Sequence, residues 1–309
     1  MNENQPRKYN TLNHSLRNKF GRKVFKVSLN GNFTCPNKDG SVGVGGCIYC
    51  SESGSGDYAG QPELSLKAQY QHVKNQLLTK WPNAYTIAYF QANTNTYKSV
   101  SELKALFDEA ITLDSQLVGL SIATRCDAIN DDILDLLASY TQKTYLQVEL
   151  GLQTIHDQTS TWLRRGHDLS CFDAAVKALR KRSIDVVVHI INGLKGENAS
   201  MMLDTVKHLN SLDIQGIKIH MLHVLKNTVL EREYRAHPFP LLTLEQYVEI
   251  TAQQIAHLRP DIVVHRVTGD APKALLVAPD WILKKFVVMN NIDKWMTQKK
   301  AYQGIFYTP

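Results

Sequence analysis

Residues 24–50 read VFKVSLNGNFTCPNKDGSVGVGGCIYC. The first six are rich in β-branched and aromatic side chains, the composition of a strand. Asn30 and Gly31 end the run, and a loop with Cys35, Cys47 and Cys50 follows, spaced C-x11-C-x2-C. Gly40, Gly43, Gly45 and Gly46 let the linker fold tightly and return Cys35 to the pair. Three thiolates on one loop point to a metal. Zinc takes four protein ligands in a structural site and three in a catalytic one, and His14 could complete the first kind. Iron–sulfur clusters commonly use four cysteines. Three cysteines on a four-iron cluster leave one iron open to a small-molecule ligand. The spacing favours the cluster, with zinc as the alternative.

Apolar runs like the first recur at Thr86–Phe90, Leu117–Ile122, Tyr145–Leu150, Val186–Ile191 and Ile217–Leu222. Their near-continuous hydrophobicity predicts strands buried on both faces of a parallel sheet. Amphipathic stretches separate them. Leu103, Leu106, Phe107, Ala110 and Ile111 follow helical spacing behind a capping box of Ser99 and Glu102. Asn130 caps Asp131–Tyr140, and Phe172–Arg182 and Ser200–Leu212 read as further helices. Six strand–helix units predict an α/β fold, a partial (β/α)6 TIM-like barrel. A doubly wound open sheet is the alternative. His237-Pro-Phe-Pro240 then breaks the rhythm. A helix from Thr243 and a strand at Ile262–Val267 form a C-terminal α/β extension. The expected organisation is a basic N-terminal segment at 1–23, the barrel at 24–235 and the extension, packed on the barrel, at 236–309.

In such barrels the site lies at the C-terminal ends of the strands. Those ends carry the cysteine loop, then Gln91 and Asn93, Arg125, Glu149 and Gln153, His189 through Glu197, and Lys218 through Lys226. Six polar ends in a row predict a ligand pocket.

The chain has 309 residues, enough for one large domain or two small ones. No apolar run approaches the ~20 residues of a membrane helix, and the N-terminus has no apolar signal core. Five cysteines, an odd number, suit a reducing compartment. The expected place is therefore the cytoplasm, with no membrane partner. Net charge is +6, concentrated at both ends. Residues 1–30 hold seven Lys and Arg against Glu3, and residues 281–309 hold five Lys against Asp293, which leaves the middle slightly acidic. Aromatics such as Phe20, Trp281, Phe286, Trp295 and Phe306 lie among them. Basic and stacking side chains together make an RNA footprint, against the plainer reading of a solvated surface over core aromatics.

With the cysteine loop on the first strand, the chain resembles the radical S-adenosylmethionine (SAM) superfamily. That signature is a first-strand loop of three cysteines with an aromatic before the third, here Tyr49. Within it the chain is similar to the YhcC/YtqA family, related to the Elongator-type radical SAM enzymes. The stretches that carry this are CPNKDGSVGVGGCIYC, YFQANTNTY, IATRCDAI, VELGLQT, RRGHD, HIINGLKGE, HMLHVLKNT and RVTGD, over about residues 24–270. Cys126 and Lys195 stand where the family tends to have Pro. The wider cysteine spacing departs from the commonest C-x3-C-x2-C form.

The resemblance implies a 4Fe–4S cluster on Cys35, Cys47 and Cys50, and reductive cleavage of SAM to methionine and a 5′-deoxyadenosyl radical. It implies SAM contacts from Tyr49, from Gln91 and Asn93 to the methionyl amine, and from Arg125 and Arg165 to the carboxylate. Glu149 and Gln153 would reach the ribose, with His189 and the Gly193–Gly196 turn near adenine. An electron donor such as flavodoxin or ferredoxin is implied as a partner. MnmL-like members act in tRNA wobble-uridine modification, trimming 5-carboxymethylaminomethyl to 5-aminomethyl, so the anticodon region of tRNA is the expected substrate. The chain has no room for the acetyltransferase domain of the Elongator-type enzymes, which argues against acetyl-CoA. Two other readings remain: a radical SAM enzyme on a small metabolite, and a zinc-bearing, non-catalytic RNA-binding protein.

Overall fold

The computed structural model describes residues 8–54 and 56–308. β1 (Val24–Leu29), β2 (Tyr85–Phe90), β3 (Leu117–Thr124), β4 (Tyr145–Gln153), β5 (Asp185–Asn192) and β6 (Gly216–Met221) lie side by side in chain order. β7 (Val224–Leu225) leaves the sheet, while β8 (Val263–Arg266) joins it beyond β6. β7 pairs antiparallel with β9 (Leu276–Ala278). Every pairing within the seven-stranded sheet is parallel. Because strand order never reverses, there is no doubly wound switch point, and the sheet curls into a part-barrel. The strand expected in the extension is thus a seventh barrel strand.

Between the strands run α2 (Leu66–Leu78), α3 (Val100–Ile111), α4 (Asp131–Thr141), the short α5 (Asp157–Trp162), α6 (Leu169–Lys181), α7 (Ala199–Asn210), the short α8 (Val229–Ala236) and α9 (Leu244–His257). Their starts follow local chemistry. Ser99 and Thr243 form capping boxes with Glu102 and Gln246, and Asn130, Asp168 and Asn198 each accept from a first-turn N–H.

The strands are not apolar on both faces. Side chains alternate with the pleat. Val27, Leu29, Ala88, Phe90, Leu120, Ile122, Val148, Leu150, Val188, Ile190, Ile217 and Ile219 face outward. There they pack with helix residues such as Leu103, Phe107, Leu137, Phe172, Val206 and Ile255. The alternate positions Lys26, Tyr89, Glu149, His189, Lys218, His220 and His265 line the barrel interior. One main core therefore lies outside the sheet, and the inside is polar.

The N-terminal segment holds α1 (Leu12–Phe20), capped by Thr11 and stopped by Gly21 at φ 73°. Leu16 packs with Val24 and Ile87, flanked by Tyr85, Val118 and Tyr145. These residues open their strands, so α1 closes the barrel end away from the cysteine loop. Lys19, Arg22 and Lys23 lie 4.4–4.6 Å from the ring centroids of Tyr145, Tyr85 and Trp81. These three bases of the expected RNA footprint are thus engaged with aromatic faces at the barrel's far end.

Candidate functional site

The cysteine loop is fastened before it reaches the site. Ile48, between Cys47 and Tyr49, is buried with Leu163, Leu194, Leu222, Val224 and Leu230. Its N–H donates to the Leu163 carbonyl, and its carbonyl accepts from Leu230 N–H. Cys35 starts a turn, its carbonyl accepting from Lys38 and Asp39. Gly46 holds φ 82°, which suits glycine and draws the second half of the loop against Lys38. Asn37 Nδ2 donates to Cys47 Sγ at 3.4 Å and to the Arg164 carbonyl at 2.6 Å.

All three cysteines line one cavity of about 580 Å³ that runs into the barrel. The Cys47 thiol is drawn down to about 7, first by a hydrogen bond from Cys50, against burial, with Arg125 and Asn37 helping. Cys50, the donor of that bond, is pushed well up. A lowered thiol is a ready metal ligand. Among the described residues no three His, Cys, Asp or Glu side chains converge on a single-ion position.

Tyr49, Gln91, Asn93, Arg125, Glu149, Gln153, Arg165 and His189 line the same cavity. Asn93 and Gln153 hold φ of 61° and 62°, an uncommon conformation for non-glycine residues that concentrates at functional sites. Gly151 makes room for Gln153: a Cβ there would lie 2.5 Å from its Nε2. Arg165 donates to the carbonyls of Leu152, Thr154 and His167, while its Nη2 is buried with no partner.

Three expectations change. Gly193 is off the cavity wall, with Leu242 packed 3.0 Å from where its Cβ would be. Arg125 forms a fork to Asp127 at 2.8 and 2.6 Å and donates to the Arg165 carbonyl at 2.8 Å. That leaves Arg165 Nη2 as the open donor. Glu149 has no acceptor left for a ribose. Its Oε1 accepts from Lys26 at 2.5 Å and Ser121 at 2.8 Å. Its Oε2 accepts from Tyr89 at 3.0 Å and Lys218 at 2.5 Å, and meets His189 Nε2 at 2.7 Å. A carboxylate offers about four lone-pair sites, and five partners crowd these.

Sequence reasoning placed Lys218 and His220 at a polar strand end, but missed that Lys26, His265 and Arg266 join them around that acid. The signal was the period-2 placement of Lys26 and Ser28, Gln147 and Glu149, and Lys218 and His220 inside apolar runs. Cys126 and Cys171, 45 residues apart in the chain, sit 3.5 Å apart, a proximity no local pattern records.

The interior predicts a pH dependence. Burial first, then Lys218, lowers His189 to about 4, and burial holds His220 and His265 well below their ordinary range. The unfolded chain takes up protons near pH 6.5 that the folded chain refuses. Stability from these rings is therefore complete above about 6.5 and is lost as pH falls toward 4. Lys218, lowered to about 7 mainly by burial, adds a cost below pH 7 that is relieved as pH rises. The melting temperature should climb from pH 5 to pH 8; a flat profile would mean the histidines titrate normally.

The Radical SAM superfamily profile matches residues 40–209, and that of the Radical_SAM C-terminal domain matches 214–298. The chain is 45% identical over 304 residues to the uncharacterized protein YtqA of Bacillus subtilis, covering 98% of this chain and 94% of that one. It is 26% identical to a tRNA uridine(34) acetyltransferase of Dehalococcoides mccartyi over 58% of this chain and 39% of that one. Among solved structures, the archaeal Methanocaldococcus infernus Elp3 with an N-terminal deletion aligns with a TM-score of 0.67 at 17% identity. The match covers 91% of this chain and 64% of that one, and supports the part-barrel fold. With its cysteine loop at the mouth of a seven-stranded parallel part-barrel, the chain belongs to the radical SAM superfamily and, within it, to the YhcC/YtqA family.

Proposed function

We propose that this protein is a radical SAM enzyme acting on the wobble uridine of tRNA, converting 5-carboxymethylaminomethyl-uridine to 5-aminomethyl-uridine. The 5′-deoxyadenosyl radical would take a hydrogen atom from the carboxymethyl carbon, and loss of one further electron back to the cluster would give the imine. Water would then split the C–N bond, releasing the carboxymethyl unit as glyoxylate, with SAM as the net two-electron oxidant. Family membership implies a 4Fe–4S cluster and SAM, and the residues fit both. Cys35, Cys47 and Cys50 would hold the cluster, with the lowered Cys47 thiol ready to ligate. The unpartnered Arg165 Nη2 suits an anionic atom of SAM, since a buried donor left unmet is costly. When bound, the reduced cluster supplies the electron that cleaves SAM to methionine and a 5′-deoxyadenosyl radical. Gln91 and Asn93 would orient the methionyl amine, Gln153 the ribose, and Tyr49 and His189 the remaining wall. A flavodoxin- or ferredoxin-like donor would deliver the electron.

The tRNA reading is carried by the cavity mouth. Asp270, on the cavity wall, pairs with Arg266 at 2.7 Å and with Lys285. That pairing brings the start of α10 (Lys285–Gln298) to the cysteine end. Phe286 is 70% exposed there, Lys284 is exposed beside it, and Tyr58 is 53% exposed on the cavity wall. Exposed aromatics beside lysines suit unstacked bases of an anticodon loop. The distant tRNA uridine(34) acetyltransferase supports the same substrate class.

Nucleoside mass spectrometry of tRNA from a strain lacking the gene tests the reading. 5-Carboxymethylaminomethyl-uridine should accumulate at the expense of its 5-aminomethyl product; an unchanged profile would refute it. Phe286→Ala with Lys284→Ala should weaken tRNA binding by roughly 1–3 kcal/mol, the range for one stacked base. Lys19→Ala with Arg22→Ala should leave tRNA affinity unchanged and lower stability by about 0.5–1 kcal/mol each. The reverse pattern in filter binding and thermal melts would place RNA at the far end of the barrel.

A further inference from the structure

The barrel interior holds more positive groups than its one central acid requires. Lys26 Nζ reaches Glu149 and Ser121, and Lys218 Nζ reaches Glu149 and Tyr89. An ammonium has three donors, so each lysine keeps one N–H beyond these oxygens. Both lie over the Tyr89 ring, at 5.0 and 4.6 Å from its centroid. Beside them, His220 Nε2 and His265 Nδ1 are shut off from solvent with no partner. The His220 ring stacks at 5.4 Å on His189, which is itself held by Glu149. Arg266 adds positive charge on the same wall, its own acid Asp270 being shared with Lys285. All these groups line the one cavity. Buried polar atoms are normally paired, so orphaned ones in a polar cavity mark places where a ligand atom completes the set. A neutral imidazole nitrogen can donate or accept by choice of tautomer, and the spare N–H groups of the two lysines beside these rings make a negatively charged acceptor the partner that fits all four.

We propose that Lys26, Lys218, His220 and His265 form a recognition site for the carboxylate of the substrate's modified side chain. This rests on the tRNA reading above: the group to be removed ends in a carboxylate on a secondary amine, and the product lacks that charge. Glu149 acts as a positioning residue, holding the two ammoniums and His189 so that their remaining donors converge. The site distinguishes substrate from product by charge, so the product is released when its anionic group is gone.

The carboxylate that fits could be the substrate's or the methionyl carboxylate of SAM itself, and the experiment separates them. Reconstituted protein saturated with SAM is titrated calorimetrically with N-methylglycine, a carboxylate on a secondary amine, and with methylamine as the uncharged-end control. Expected is saturable binding of N-methylglycine alone, weakened at least tenfold in Lys218→Gln and separately in His265→Ala. Iron content and SAM affinity are measured on both variants to show that they remain folded. In parallel, an anticodon stem-loop carrying the natural acid is compared with one carrying its carboxamide. The acid should be turned over at least tenfold more efficiently, with the preference lost in His265→Ala. Binding of N-methylglycine only in the absence of SAM would assign the site to SAM and overturn the proposal. No binding, or equal turnover of acid and amide, would overturn it while leaving tRNA modification standing. Binding that persists with SAM while tRNA from the deletion strain is unchanged would refute the tRNA reading, and the site would then serve another carboxylate substrate.

Discussion

Glu149→Ala should destabilise the protein by about 3–5 kcal/mol, the usual cost of stranding a buried charge. The side chain is fully buried, and Lys26 and Lys218 approach its two oxygens at 2.5 Å each. Burial alone would raise this carboxyl, yet Lys218 and Lys26 hold it well below the usual carboxylate range. Removing it leaves Lys26 and Lys218 facing each other with no acid between them, so either one gives up its proton or a charge stays buried without a partner. For a chain of this size the loss corresponds to a fall of roughly 10 °C in melting temperature. Glu149→Gln keeps the shape and should fall between the two. The sign with pH follows: the depressed carboxyl contributes above about pH 4.3 and its contribution vanishes as acid protonates it. A Glu149→Ala protein that melts like the wild type but binds SAM poorly would return this residue to the ribose.

The second large effect concerns the cysteines. Cys35→Ala, Cys47→Ala and Cys50→Ala should each abolish the brown chromophore and bring 5′-deoxyadenosine below detection. A three-ligand cluster that loses one thiolate has a second iron exposed. Cys126→Ala and Cys171→Ala should keep full iron, because that pair sits apart from the loop, engaged with each other. Full iron in Cys35→Ala would remove that residue from the ligand set. Colourless protein holding zinc in the wild type would restore the zinc reading.

Much of this was legible in the sequence, and the reasons differ by element. The six apolar runs became β1 to β6 because β-branched stretches between capped helices have few other uses in a compact chain. The helix starts were legible from Ser99, Asn130 and Thr243, whose caps are local. The cysteines and the polar strand ends were legible because parallel topology gathers strand ends at one place. The lining inside the barrel was not. Lys26 and His265 each read as one polar residue in an apolar run, and only closure of the sheet turns alternate positions toward a shared interior. Glu149 was assigned to a ligand because its partners come from β1, β2, β3, β5 and β6, distances no local pattern records. Gly193 failed for the same reason: Leu242, which covers it, arrives from the extension. At the basic N-terminus the charge shows in the sequence, whereas the aromatic faces beneath Lys19 and Arg22 do not.

The central claim is tested most directly by one anaerobic assay. Reconstituted protein, SAM, dithionite and tRNA carrying 5-carboxymethylaminomethyl-uridine are incubated, and 5′-deoxyadenosine is quantified against converted nucleoside. The account predicts 5′-deoxyadenosine formed in step with 5-aminomethyl-uridine, and neither from Cys47→Ala protein. Cluster-loaded protein that yields 5′-deoxyadenosine at the same rate with and without tRNA, and leaves the nucleoside unchanged, would contradict it.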